Sequence, residues 1–489
     1  MDASLFPTAA EYLRVGPEIV LILFGTLLMI AEAFAGEGRR ENLAPLAMVG
    51  ILGALALTIA GAMNPGPAFR NMIIVDGYGT FYRVVVLSAG LLAVLCSSSY
   101  LKREQADSGE FWALLLFSLS GQSLLAVSDE LIMIFIALEI SSISSYVLAG
   151  YLRDDRRANE AAIKYFLLGS FATGFLLYGV AWMYGITGQT NLHAIRTFLN
   201  NSASVWSPAG LAVCAALMFI GFAFKVSAAP FQSWAPDVYQ GAPAPVAAFL
   251  SAAPKAAAFA VFVRVYATAF NGISERWIPI LWVSALLTMV IGNFGALRQS
   301  NLKRLFAYSS IAHAGYIMVA ITAHSEIGIS AVMFYLAGYV FVNMGTFAVI
   351  AHFARQGERY LQIDDLAGYA RRQPIIAAIF TVLLFSLVGV PLTGGFFGKF
   401  YIFKAAIDSH LIWLSVLGLL NSAVAAYYYL RIIVVMYFHE PGEASDTIGP
   451  MATGVQVALF ASVAATLVLG IFPSYFINFA GLSSGLMLR

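Results

Sequence analysis

Fourteen mostly apolar runs, each long enough to cross roughly 30 Å of hydrocarbon, follow one another along this chain. They lie at about 17–35, 43–63, 79–99, 111–127, 131–151, 160–183, 208–230, 244–268, 278–297, 305–323, 328–352, 375–407, 411–437 and 452–474. Sharing 489 residues among fourteen runs gives about 35 residues each, which leaves short loops and no space for a sizeable extramembrane domain. Hydrophobic residues make up 60% of the chain and Asp, Glu, Lys and Arg together 11%, with a mean hydropathy of +0.81. A soluble surface needs about 25% charged residues, so an ordinary soluble enzyme is excluded and most of the surface faces lipid. The net charge of +1 and the lack of a basic, aromatic-laced patch exclude a nucleic-acid partner. Cys96 and Cys214 sit inside apolar runs and read as small core hydrophobes. Residues 1–16 carry Asp2, Glu11 and Arg14 and lack a basic leader with a small-residue cleavage site, so the first run is expected to act as its own anchor.

Basic residues in alternate loops fix an orientation. One set holds Arg39, Arg40, Lys102, Arg103, Arg153, Arg156, Arg157, Arg298, Lys303, Arg304, Arg355, Arg359, Arg371 and Arg372; the other holds Arg14, Arg70, Arg196, Arg276 and Arg489. Fourteen against five places the first set in the cytoplasm and both termini outside.

Eight basic residues remain inside or at the edges of the runs: Arg83, Lys164, Lys225, Lys255, Arg264, Lys399, Lys404 and Arg431. A charge at bilayer depth costs several kcal/mol on insertion scales unless it faces protein or water. Arg83, Lys404 and Arg431 lie near run ends, where a long side chain reaching the interface accounts for them. Glu139 is different, because it stands eight residues from Leu131 and twelve from Tyr151 on a side chain too short to reach water. Lys225 and Lys255 are flanked by small residues and by Pro230 and Pro254, which remove backbone donors and free carbonyls. Membrane proteins tolerate such breaks where protein or water satisfies the freed groups, and discontinuous helices of this kind cradle ions in transporters.

The arrangement recurs in the second half. "LVGVPLTGGFFGKFYIF" interrupts a run with Gly389, Pro391, Gly394 and Gly395 and then presents Lys399. "KYFLLGSFATG" begins at Lys164, 61 residues before Lys225, and the similar "MFYLAGYVFVNMG" begins at Met333, 66 residues before Lys399. Five runs from 111 onward would then correspond to five from 278 onward, and an odd number inverts the second unit relative to the first. The expected division is 1–105 as an N-terminal three-helix segment, 106–273 and 274–438 as the two repeats, and 439–489 as a C-terminal helix.

A lysine in water keeps its proton up to about pH 10.4, but desolvation favours the neutral amine and a nearby carboxylate restores the charge. If Glu139 pairs with Lys225, separating them would make Lys225 release a proton toward Lys255 and Lys399, a relay run by electrostatic coupling. Static salt bridges holding helices together are the rival reading; they explain Glu139 with Lys225 but leave Lys255 and Lys399 without a carboxylate in the runs. His313, in "SSIAHAGYIM", would either bridge the relay or make a satisfied interhelical hydrogen bond, with Tyr308, Ser309 and Ser310 beside it to order water. His324 and His352 stand at run ends. The aromatic residues read mostly as lipid-facing or belt residues. No haem-like His pair, CxxCH, Walker A or nucleotide glycine motif stands where it could be used, so redox chemistry is expected elsewhere.

Three segments carry a family resemblance: "FQSWAPDVYQGAPAPVAAFLSAAPKAAAF" (231–259), "NLKRLFAYSSIAHAGY" (301–316) and "GVPLTGGFFGKF" (389–400). The chain resembles the antiporter-like membrane subunit N of bacterial proton-pumping NADH:quinone oxidoreductase, respiratory complex I, over nearly its whole length. The wording "APDVYQGAP" separates subunit N from its sisters L and M and from Mrp-type sodium/proton antiporter subunits. The resemblance implies an all-alpha polytopic membrane protein with 14 transmembrane helices, two inverted five-helix repeats, and broken helices 7 and 12. It implies that Glu139 on the fifth helix pairs with Lys225 on the seventh, that Lys255 is the central eighth-helix lysine, that Lys399 is the twelfth-helix exit residue, and that Lys164 modulates the pair. It further implies a translocase complex that carries FMN and iron–sulfur clusters and acts on NADH and quinone, with no cofactor or metal in this subunit. The implied partners are the M subunit, the small K and J subunits and lipid, in a bacterial inner membrane with both termini periplasmic. An Mrp-type antiporter subunit and a purely structural spacer are the alternatives.

Overall fold

A computed structural model of the chain describes residues 7–34, 43–202, 208–442, 444 and 448–488. Arg39, Arg40 and Arg489 of the orientation count, and Asp2, lie outside the described residues. In chain order the helices are α1 (Ala9–Arg14), α2 (Gly16–Phe34), α3 (Ala44–Ala62), α4 (Gly77–Arg103), α5 (Gly109–Val127), α6 (Leu131–Ala149), α7 (Arg156–Thr187), α8 (Leu192–Ser202), α9 (Pro208–Val226), α10 (Trp234–Gly241), α11 (Ala244–Thr268), α12 (Ser274–Leu297), α13 (Leu302–Thr322), α14 (Glu326–Ala354), α15 (Tyr369–Arg372), α16 (Pro374–Val388), α17 (Gly394–Asp408), α18 (Ile412–Phe438), α19 (Thr453–Ile471) and α20 (Pro473–Leu488). A short antiparallel hairpin of β1 (Gly66–Ala68) and β2 (Ile73–Val75), with Gly66 opposite Val75, follows α3.

Thirteen of these helices among the described residues are long and apolar enough to cross a membrane, namely α2–α7, α9, α11–α14, α18 and α19. The remaining expected run, at 375–407, is not one long helix but two 15-residue helices, α16 and α17. Gly389 ends α16 at φ +96°, a left-handed conformation that glycine adopts without a Cβ clash, and Pro391 cannot donate to a continuing helix. The region 439–489, expected as one helix, holds α19 and α20.

Capping residues set where the helices begin. Asp76, Asp155, Asn301 and Ser325 each accept a backbone N–H in the first turn of α4, α7, α13 and α14, satisfying donors that an isolated helix start leaves unpaired. Burial then sorts the spans. The apolar windows of α11 and α13 are each 94% buried and that of α14 is 89% buried, against 28% for α2 and 39% for α7. Apolar residues all round a helix mean burial on every side, so α11, α13 and α14 form the centre and α2 and α7 stand at the lipid boundary.

The N-terminal helices are locked on by charge. Arg83 on α4 is 1% exposed and meets Glu18 of α2 at 2.8 Å, with the Ser123 hydroxyl on the same carboxylate at 2.5 Å. The expectation that Arg83 reaches the interface is therefore corrected: a counter-charge on the neighbouring helix satisfies it inside the protein. Arg264 on α11 likewise bonds both oxygens of Asp76, at 2.9 and 3.0 Å, beneath the Tyr78 ring. Removing one partner of such a buried pair strands a charge at a cost of about 3–5 kcal/mol, so these contacts fix α2, α4 and α11 in register.

Candidate functional site

The first cluster forms where α9 stops. Lys225 lies in the last turn of α9, and residues 227–233 run without helix before α10. The polar backbone of this link is paired inside the protein: Thr288 Oγ1 accepts from Ala229 N at 2.8 Å, Ser284 donates to Ala229 O at 2.5 Å, and Trp234 Nε1 donates to Phe224 O at 2.9 Å. Irregular backbone at membrane depth requires such satisfaction. The Lys225 ammonium lies 5.0 Å from the Tyr146 ring, 5.4 Å from the Tyr165 ring and 5.9 Å from the Phe224 ring, and it donates to the Tyr146 hydroxyl at 3.4 Å. Aromatic faces contribute about 0.5–2 kcal/mol to a cation. Three such faces together are of the same order as the roughly 2.5–3.5 kcal/mol that a central lysine costs, so the ring cage is a sizeable part of what makes a charged Lys225 tenable.

Glu139 acts on this group from a distance. It lies seven residues before Tyr146 on α6, two turns along the same face, and acts on Lys225 electrostatically without an ion-pair contact. Its Oε1 is buried with no hydrogen-bond partner. Tyr146 and Lys225 therefore meet directly, while Glu139 reaches both through its charge and not through a bond. Lys164 stands apart from this group: it is held by Glu160 at 2.6 Å and Asp237 at 2.8 Å, with 40% of its side chain exposed.

The second cluster lies in the centre. Lys255 on α11 is buried and donates to Ser310 O of α13 at 2.9 Å and to the Ser310 hydroxyl. Pro254, its neighbour, has no N–H for the Leu250 carbonyl, and the Tyr239 hydroxyl donates to that oxygen instead, at 3.4 Å. His313 lies one turn beyond Ser310; one ring nitrogen meets the Tyr335 hydroxyl and the other the Tyr429 hydroxyl, at 3.1 Å. Tyr429 in turn bonds Ser309. His313 thus has both nitrogens satisfied and also stands in line with Ser310 and Tyr316, at steps of three residues along one face of α13.

The third cluster is built by the break between α16 and α17. Lys399, buried on α17, donates to the carbonyls of Leu387 and Val388 at 3.0 and 2.9 Å and to the Ser422 hydroxyl at 2.8 Å. Those two carbonyls are freed by the end of α16, where the helix dipole also favours a cation. The ammonium is 5.0 Å from the Tyr316 ring, and the Tyr316 hydroxyl accepts from Asn293 Nδ2 at 3.2 Å. A cavity of about 470 Å³ extends from Lys399 and Ser422 past Phe403 to the Lys404–Asp408 ion pair near the end of α17. Among the described residues neither Lys255 nor Lys399 has a carboxylate within ion-pair distance, and no three His, Cys, Asp or Glu residues stand together as a metal site.

Comparison with known proteins decides the family. Residues 128–425 match the family described as NADH:quinone oxidoreductase/Mrp antiporter, TM. NADH-quinone oxidoreductase subunit N 1 of Solibacter usitatus is 58% identical over 470 residues, covering 96% of each chain. The chain belongs to the subunit N family of bacterial NADH:quinone oxidoreductase. A chain of the respiratory complex I structure from Thermus thermophilus with bound Aureothin superposes with a TM-score of 0.81 at 32% identity, over 95% of this chain and 99% of that one. A chain of the Mrp complex from Dietzia sp. DQ12-45-1b, at 22% identity, shares the fold, with a TM-score of 0.84 over 99% of this chain and 98% of that one. The antiporter-like fold expected for subunit N is the fold found.

Sequence reasoning missed several groups at this subunit N site. Tyr146, Tyr165, Tyr316, Tyr335 and Tyr429 are buried around the charged residues, whereas most aromatic residues were expected to face lipid or the interface. The spacing of Ser310, His313 and Tyr316 was the available signal, since three polar residues on one face of an apolar helix mark an inward stripe.

Proposed function

We propose that this chain moves protons across the bacterial inner membrane as a membrane-arm subunit of NADH:quinone oxidoreductase, and that Glu139, Lys225, Lys255, His313 and Lys399 carry them. One observation above all supports this reading: Ser310, His313 and Tyr316 line one face of α13 between the two buried lysines, with Lys255 bonded to Ser310, the His313 and Tyr316 rings 5.7 Å apart, and Lys399 5.0 Å from the Tyr316 ring. Lys225, Lys255 and Lys399 are each bonded to hydroxyls or carbonyls, neutral groups that accept from the ammonium and tolerate the amine. Static ion pairing would require carboxylates that Lys255 and Lys399 lack among the described residues.

In this reading the separated Glu139 is the variable. Its approach to Lys225 holds the ammonium charge; its withdrawal favours proton loss toward the centre. Lys164, tied to Asp237 on α10, modulates Lys225 by setting where the segment after the α9 break sits. The breaks after α9 and between α16 and α17 are the corresponding points of two inverted five-helix units, each placing a lysine beside an interrupted helix. Both termini lie on the periplasmic side, and the M subunit and the small K and J subunits are neighbours in the membrane arm. Flavin, iron–sulfur clusters, NADH and quinone belong to other parts of the complex.

The test is Lys225→Ala in the assembled complex, with NADH:quinone turnover and proton uptake measured in membrane vesicles. Loss of both activities with assembly intact is expected. Normal turnover and pumping would leave Lys225 as a structural contact only.

A further inference from the structure

Lys303 and Glu358 look like loop charges in the sequence, yet the structure buries them together. The Lys303 side chain is fully buried and that of Glu358 is 9% exposed, with Nζ and Oε2 2.5 Å apart. Lys303 also donates to Ala242 O at 2.5 Å, while Glu358 Oε1 accepts from Ala244 N at 2.6 Å and from the Tyr100 hydroxyl at 2.8 Å. The pair therefore clasps the junction of α10 and α11 from both sides. Glu358 reaches this position from a loop that holds the non-glycine residues Arg355 and Glu358 itself at positive φ, a conformation that persists only when surroundings impose it.

The clasp sits between an open polar space and Lys255. A cavity of about 740 Å³ on the basic-loop face is lined by Glu104, Asp155, Arg157 and Gly357, the residue next to Glu358. On the other side, Lys303 and Ser310 lie seven residues apart on one face of α13, about 10 Å of helix rise. Tyr239 of α10 lies near Ser310, with its hydroxyl donating to the Leu250 carbonyl that Pro254 leaves open. Ser310 in turn holds Lys255.

We propose that Glu358 and Lys303 form the gate that loads Lys255 with protons from the basic-loop face; this rests on the relay reading above. A proton from the cavity forms an O–H bond on the Glu358 carboxylate and removes the counter-charge of Lys303. The Lys303 ammonium then breaks an N–H bond and passes its proton by way of Tyr239 and Ser310 to the neutral Lys255 amine. Transfer of the Glu358 proton to Lys303 restores the ion pair, so one proton leaves the cavity and one arrives at Lys255. Tyr100 donates to the carboxylate and holds it in place between cycles, and the charge of Arg157, itself bonded to Asp155, acts on it from a distance.

The experiment uses Glu358→Ala, Glu358→Gln and Glu358→Asp in the whole complex, with assembly checked on native gels. NADH:quinone turnover is read with an uncoupler present, with and without added formate. Turnover of E358A is expected to fall about tenfold or more, as loss of a positioned proton carrier does. Formate, a carboxylic acid small enough for the cavity, is expected to restore much of it, and E358D to retain much of it unaided. A purely structural clasp gives no formate rescue, so an assembled E358A with undiminished or unrescued turnover overturns the gate. Where E358A does not assemble, E358Q decides by the same criterion, since it keeps an acceptor for Tyr100 and Ala244. Lys255→Ala, made alongside, separates the two readings: normal turnover there fells the relay itself, whereas an inactive K255A beside an undiminished E358Q fells only the gate.

Discussion

A charged residue inside this bundle is defined by what it can bond. Lys255 and Lys399 have the same apolar sequence surroundings as a misplaced charge, and only their oxygen acceptors make them tenable. Outside the bilayer the same principle acts on Glu11. Its carboxylate accepts the Thr8 backbone N–H at 2.7 Å and the Phe69 backbone N–H at 2.8 Å, and these bonds, Thr8 first, hold its pKa below the usual carboxylate value. A lowered folded pKa contributes stability above the unfolded value and loses it as pH falls through the folded one. The Phe69 and Thr8 amides should therefore be protected from hydrogen exchange at neutral pH and lose that protection below about pH 4, where an ordinary carboxylate would already be protonating. In Glu11→Gln the protection should be weak throughout, with no acid transition.

Broken helices act as elements because their ends expose backbone carbonyls at membrane depth. The end of α16 and the start of α17 approach so closely that a Cβ on Gly395 would lie 1.9 Å from the Ser386 carbonyl oxygen. Gly395→Ala should force the two ends apart, take the Leu387 and Val388 carbonyls away from Lys399, and cost about 1–3 kcal/mol through overpacking. The expected result is a lower thermal midpoint together with reduced proton uptake. Gly174→Ala on α7, where a Cβ meets open space, is the control and should stay within about 0.5 kcal/mol of the parent. Equal behaviour of the two variants would remove the close approach as a determinant.

For the molecule as a whole, the central helices α11 and α13 carry Lys255, Ser310 and His313, and Glu139, Lys225 and Lys399 reach the interior from α6, α9 and α17. Orientation is testable without disturbing that core, because Cys96 and Cys214 are both buried and should be silent to a membrane-impermeant maleimide. A cysteine at exposed His410, after α17, should label from the periplasmic side, and one at exposed Arg371 only after the cytoplasmic face is opened. The reverse pattern would invert the assignment made from basic loops.

Much of this was legible in the residues. The apolar runs gave the membrane spans because length and hydropathy are local properties, and Glu139, Lys225, Lys255 and Lys399 stood out because a charge at bilayer depth demands a reason. Pro254 and the Gly389–Gly395 stretch announced freed carbonyls by chemistry alone. What only the tertiary structure decided was the set of partners. Arg83 reads as interfacial until Glu18, 65 residues away, is brought to it, and Lys303 reads as a loop charge until Glu358 is folded against it from 55 residues away. Tyr429 meets His313 across 116 residues. Such pairings depend on which helix faces pack together, a property of the whole bundle that no local spacing encodes.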